Sequence, residues 1–132
     1  AHGIDPAGRR VTVVGRSLVI GRPAALLLTR ADATVTLCHR KTPDLAARCR
    51  AADILLAAAG APGLITPECV RPGQIVLDAG ATALPDGTLR GDVTPAAAAI
   101  AACTPVPGGI GSVTTALLLR HTVQAAEKSH HF

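Results

Sequence analysis

Apolar and polar positions come in short blocks, and the blocks alternate in type along the chain. Residues 9–14, Arg-Arg-Val-Thr-Val-Val, form a β-branched run that ends at Gly15, the signature of a buried strand. Gly21-Arg22-Pro23 opens a helical stretch from Ala24 to Arg30, with Pro23 at the first helical position, where its missing N–H costs nothing. Thr34 to Cys38 reads as a second strand, and Thr42-Pro43-Asp44 starts a helix to about Arg50 with Thr42 as its N-cap. Asp53 to Ala58 is a third apolar strand, closed by Gly60-Ala61-Pro62-Gly63. Thr66-Pro67-Glu68 predicts a helical turn, Pro72-Gly73 a turn, and Gln74 to Asp78 a fourth strand. Leu84-Pro85-Asp86-Gly87-Thr88 carries turn chemistry and predicts a small hairpin, because Pro presets φ and Gly accepts positive φ. Thr94-Pro95 begins an alanine helix through about Ala101, a short apolar segment follows, and a last helix runs from Ser112 or Val113 to Ala126. Strands alternating with helices imply right-handed crossovers. The expected fold is α/β: a Rossmann-like parallel sheet with helices on both faces, in three αβα layers.

Length and composition sharpen this picture. The 132 residues fit one domain with one core. Hydrophobic residues make up 48%, yet Phe132 is the sole aromatic, so the core must be built from Ala, Val, Leu and Ile. Small residues let helices sit close to a sheet. The net charge of +4 fits an anion site, and without aromatics among the basic residues there is no stacking platform for single-stranded nucleic acid. Neither a nucleic-acid nor a membrane partner is expected, since no apolar run reaches the ~18 residues that span a bilayer. Cys38, Cys49, Cys69 and Cys103 include no C-x-x-C pair, which leaves zinc and redox motifs without support. Cys38 and Cys103 are expected to be buried thiols in a reduced, cytoplasmic setting. The chain opens at Ala1 without a methionine and reads as part of a longer protein; His130 and His131 read as a tail rather than a metal site.

The strongest local chemistry is Gly15-Arg16-Ser17-Leu18-Val19-Ile20-Gly21-Arg22-Pro23, between the first strand and the first helix. One glycine permits the sharp turn, a second lets backbone approach an anion, and the helix N-terminus offers N–H groups to a pyrophosphate. The spacing is not G-x-G-x-x-G: Ser17 stands where the second glycine would be. NAD-binding domains place an acid about 20 residues past the first glycine, on the ribose hydroxyls. Here the second strand ends in Cys38-His39-Arg40-Lys41, without an acid, and Arg16 falls near the same place. Arginines there favour a 2′-phosphate, so the expected cofactor is NADP rather than NAD. His39 is assigned a hydrogen-bonding role at that phosphate, and His121 a packing or surface role.

Six segments then fall into the order of one known family. Gly15-Arg16-Ser17 with Gly21-Arg22-Pro23 resembles the G-R-S-x-x-V-G-K/R-P of the methylenetetrahydrofolate dehydrogenase/cyclohydrolase family, in its C-terminal cofactor-binding domain. Ala33 to His39 resembles its A-T-V-T-x-C-H, and Ala52-Asp53-Ile54 with Ala59-Gly60-Ala61-Pro62 its A-D-I…A-x-G-x-P. Val76 to Gly80 resembles V-I-D-V-G, Gly91-Asp92-Val93 matches G-D-V, and Thr104 to Gly111 resembles T-P-V-P-G-G-V-G. The matches run from about Gly8 to Ala126, and their order is more specific than any one of them.

The resemblance implies oxidation of methylenetetrahydrofolate with NADP and hydrolysis of the methenyl product, within one-carbon metabolism that feeds purine biosynthesis. It implies cofactor contacts at Gly15, Arg16, Ser17, Gly21, Pro23, His39, Arg40, Gly60 and Ala81, where the family usually has Ile. Gly111 and Thr114 fall near the nicotinamide, and Pro107, Gly108 and Gly109 line the folate cleft. Ser112 replaces a family proline, which alters the start of the last helix. The family keeps its catalytic tyrosine and lysine on an N-terminal folate-binding domain; that domain is expected to be absent from this chain, which has no tyrosine. No catalytic residue is therefore assigned within residues 1–132, and tetrahydrofolate derivatives are expected as partners only through the other domain. The family also implies a homodimer. The competing readings are another NADP dehydrogenase of the same fold, such as a shikimate-type enzyme, and a non-catalytic nucleotide-binding or subunit-interaction module.

Overall fold

The computed structural model describes residues 3–129, so His130 and His131 lie outside the described residues. Strands β1 (Arg10–Val14), β2 (Thr34–Cys38), β3 (Ile54–Ala57), β4 (Ile75–Asp78) and a short β7 (Ala102–Cys103) form one parallel sheet in the order β2-β1-β3-β4-β7. Between the last two, β5 (Thr82–Ala83) and β6 (Leu89–Arg90) make the small antiparallel hairpin. The helices are α1 (Gly21–Arg30), α2 (Leu45–Ala51), α3 (Pro95–Ala98) and α4 (Ile110–Ser129), with a 3₁₀ turn at Pro67–Cys69. This is a Rossmann-like fold. Its topological switch point lies between β1 and β3, where the strand order reverses and a crevice opens at the carboxyl edge.

The two-residue period of the strands sorts the core into two layers. Leu55 and Ala57 of β3 point to the face carrying α2, α3 and the 3₁₀ turn, together with Val14, Cys49, Cys69 and Val76. Ile54 and Leu56 point to the opposite face, where Val11 and Val13 meet Ala24, Ala25 and Leu28 of α1. All four residues of β3 are buried, as a central parallel strand requires. Edge strand β2 keeps Thr34, Thr36 and Leu37 exposed. Polar residues fasten the opposite, amino edge. Gln74 is fully buried, and its Nε2 donates to the carbonyls of Cys49 and Ala52 at 2.7 and 3.0 Å, closing the end of α2. Asp53 accepts from Arg10 and Arg71 at 2.9 and 3.1 Å, and these cations hold its carboxyl at about 2.

Several expectations change in detail. Thr42 does not cap α2: its hydroxyl accepts the His39 N–H instead, and Asp44 occupies the N-cap in left-handed conformation without a side-chain bond. Pro23 is the third helical residue rather than the first, still within the turn whose N–H groups lack helical partners. The alanine helix stops at Ala98, because Ala102 must leave it to pair with β4 through its N–H to the Gln74 carbonyl. The last helix starts at Ile110, two or three residues early, and none of its residues is buried. Cys103 is half-buried rather than buried. Among the described residues no helix is long and apolar enough to cross a membrane.

Candidate functional site

Every parallel strand delivers its following loop to the carboxyl edge, and nearly all the sequence-marked residues stand on those loops or at the start of α4. Gly15, at the end of β1, has φ +122°, a conformation open to glycine. A Cβ on Gly15 would run into the Ala58 carbonyl, and one on Gly21 would run into the Gly15 carbonyl. The two glycines and the end of β3 are thus stacked backbone on backbone. Ser17 Oγ accepts from the N–H groups of Ile20 and Gly21 at 3.1 and 3.4 Å, and its carbonyl accepts from Arg22. The helix N-terminus is therefore partly satisfied from within, contrary to the sequence expectation that its amides face an anion. The donors left without a protein acceptor, among the described residues, are the N–H groups of Arg16, Ser17, Leu18 and Val19 in the turn itself. A hydroxyl that accepts two bonds still has its proton to donate, so Ser17 adds a fifth donor.

Beside this turn, the end of β2 is a hydrogen-bonded corner in which residues 38–41 carry no acid. The His39 N–H donates to Thr42 Oγ1 at 2.9 Å, and Nδ1 accepts from the Lys41 N–H at 3.1 Å. That leaves Nε2 without a hydrogen-bond partner among the described residues. Arg16, Arg40 and Lys41 are exposed, and among the described residues none has an acidic partner within ion-pair distance.

Two buried carboxylates that sequence reasoning gave no role organise the other half of the edge. Asp78 Oδ1 accepts from the N–H groups of Gly80 and Asp92 at 2.9 and 3.0 Å, and Oδ2 from Val93 at 3.0 Å. Asp92, with no exposed surface, accepts from Ala59, Gly60 and Ala61 at 2.6, 3.0 and 2.8 Å. Burial pushes its carboxyl above the ordinary range, against the pull of those three donors, and Asp78 adds to the rise. Gly80 and Gly91 lie too close to these carboxylates to carry a side chain. The available signal was that both acids sit beside glycines in recognisable segments, but pairing across fourteen residues has no local signature.

Between the hairpin and the first turn of α4 lies a cleft of about 750 Å³. Ala81, Pro107, Gly108, Gly109, Gly111 and Thr114 line it together. Thr114 Oγ1 donates to the Ile110 carbonyl at 3.1 Å. Val19 and Ile20 reach the same cleft from the opening turn and were not marked in the sequence, nor was Leu89 of β6.

The family model for the tetrahydrofolate dehydrogenase/cyclohydrolase NAD(P)-binding domain matches residues 1–130. The chain belongs to that family. Bifunctional protein FolD 1 of Rhodococcus jostii is 60% identical over 127 residues, 95% of this chain and 43% of that protein. FolD of Chloroflexus aurantiacus is 56% identical over 126 residues, 94% and 44% respectively. Among solved structures, the Trypanosoma brucei methylenetetrahydrofolate dehydrogenase-cyclohydrolase, a complex with NADP cofactor and inhibitor, superposes with a TM-score of 0.89 at 42% identity, over 98% of this chain and 47% of that one. The chain spans less than half the length of these relatives. Within this NAD(P)-binding domain, the marked residues form two neighbouring groups. Gly15, Arg16, Ser17, Gly21, Pro23, His39 and Arg40 stand over β1 and β2, and Ala81, Pro107 to Gly109, Gly111 and Thr114 stand in the cleft. Gly60 lies between them, with its N–H taken by Asp92 and open space where a Cβ would point.

Proposed function

We propose that this chain is the NADP-binding part of a methylenetetrahydrofolate dehydrogenase/methenyltetrahydrofolate cyclohydrolase of one-carbon metabolism. A folate-binding domain outside this chain supplies the catalytic side chains. The observation that carries the reading is the pairing of a donor-rich turn at the switch point with an acid-free, arginine-flanked corner at the end of β2. The free amides of residues 16–19 and the Ser17 hydroxyl fit a pyrophosphate, with Gly15 and Gly21 allowing close approach. Arg16 and Arg40 answer the 2′-phosphate, and His39 Nε2 offers a further hydrogen bond. Ala81, Gly111 and Thr114 bound the nicotinamide end, and Gly60 contacts the cofactor through its backbone carbon or carbonyl. Pro107, Gly108 and Gly109 form the wall shared with folate. When bound, NADP accepts the hydride; the chain's own residues orient it and exclude water.

Because hydride transfer and ring hydrolysis both need folate held against this edge, the chain alone binds NADP without turning over folate. The enzyme's place in one-carbon metabolism, ahead of purine biosynthesis, and its cytoplasmic setting and homodimeric assembly belong to the same proposal. Isothermal titration with NADP and NAD, and a dehydrogenase assay with and without an added folate domain, test it. Preference for NADP and activity only in the mixture are the expected results; equal affinities, or turnover by the chain alone, contradict it.

A further inference from the structure

The two buried carboxylates form a chain of contacts from β4 to the cofactor edge. Asp78 fixes segment 91–93, and Asp92, so fixed, gathers the three successive amides of residues 59–61. That loop continues from Ala58, whose carbonyl lies against Gly15. Its amides are consumed by Asp92 and cannot serve a ligand, so its contribution is shape. It lies at the end of β3, on the far side of the switch point from β2, the strand whose end the cofactor reading above assigns to the adenosine ribose.

We propose that Asp92 is a positioning residue for the nicotinamide half of the cofactor. It locks residues 59–61 into the wall over which that half passes. This rests on the NADP reading above. An asparagine at the position presents an NH₂ group to N–H donors and loses at least one charge-assisted bond, so the loop loses its single conformation.

The test compares the wild-type chain, Asp92→Asn and Gln74→Ala in titrations with NADP and with adenosine 2′,5′-bisphosphate, which lacks the nicotinamide half. Gln74 lies at the opposite edge of the sheet, and its loss lowers the melting temperature without touching the site. Asp92→Asn is expected to weaken NADP about tenfold or more, the scale of one charged hydrogen bond, and the bisphosphate by less than about threefold. Gln74→Ala is expected to leave both affinities within about threefold despite its lower melting temperature. In wild-type protein, amide resonances of Ala59, Gly60 and Ala61 are expected to shift with NADP and to stay in place with the bisphosphate, a readout independent of how the variant folds. Equal weakening of both ligands, unchanged NADP affinity in Asp92→Asn, or amide shifts shared by both ligands overturns the proposal while NADP binding stands. Absence of NADP binding by the wild-type chain removes the cofactor reading and this proposal with it.

Discussion

Gly15→Ala is the substitution whose cost the structure defines best. At φ +122° an L-residue is strained by about 1–3 kcal/mol. The new Cβ would also lie 2.5 Å from the Ala58 carbonyl carbon, where ordinary contact begins at 3.4 Å. Relief requires the turn and the end of β3 to part by about 1 Å, which weakens the 2.8 Å bond from the Ala58 N–H to the Val14 carbonyl, a loss of about 0.5–1.5 kcal/mol. The total is about 1.5–4.5 kcal/mol, or roughly 5–16 °C in Tm at this chain length. Gly60→Ala separates strain from clash: at φ +61°, with nothing within 4 Å of the added carbon, it should cost only about 1–2 kcal/mol. Gly111→Ala, in α4 with open space and no positive φ, should be neutral or stabilising by up to about 1 kcal/mol. Differential scanning calorimetry and NADP titration of the three variants read the series. A Gly15→Ala protein melting within about 2 °C of wild type, with NADP affinity unchanged, refutes the stacked-backbone account.

Arg40→Ala is expected to weaken NADP by about tenfold while leaving NAD within about threefold, measured by calorimetric titration; equal losses would assign Arg40 to general electrostatics. Asp53 is held at about 2, below its ordinary 3.8, first by its hydrogen bonds from Arg10. Its contribution to stability is complete above the ordinary value and is lost as pH falls toward the lowered one. Asp53→Asn should therefore flatten the stability profile between those two values in denaturant titrations. Burial pushes the Cys49 thiol up to about 12, with Cys69 and Cys38 adding to it. Iodoacetamide at pH 8 should leave Cys49 unlabelled in the native protein and label it once the chain is unfolded, as peptide mass spectrometry would show.

Elements marked by both composition and punctuation were legible in the sequence. The run Ile54–Ala57 is buried on both faces, and Gly60-Ala61-Pro62-Gly63 closes it. The hairpin around Pro85-Asp86-Gly87 follows from turn chemistry alone. What local pattern missed was decided by distant partners. Thr42 has the composition of a cap, but the His39 amide claims its hydroxyl. Ala99, Ile100 and Ala101 continue an alanine-rich run of helical propensity, yet β4 draws the next residue into the sheet. Ser17 was legible as part of the opening turn, but its use of the helix amides is a matter of side-chain geometry. The Asp78–Asp92 linkage depends on two loops meeting, which no window of sequence encodes. Helix α4 was legible as a helix, whereas its lack of any buried residue, with Leu118 and Leu119 exposed, is a property of the folded chain.

A crystal of this chain soaked in NADP puts the central claim to its most direct trial. The account predicts pyrophosphate oxygens within hydrogen-bond distance of the amides of residues 16–19 and the Ser17 hydroxyl, with the 2′-phosphate between Arg16 and Arg40. A turn that stays closed on itself at saturating NADP, or a cofactor whose 2′-phosphate lies away from Arg40, contradicts it.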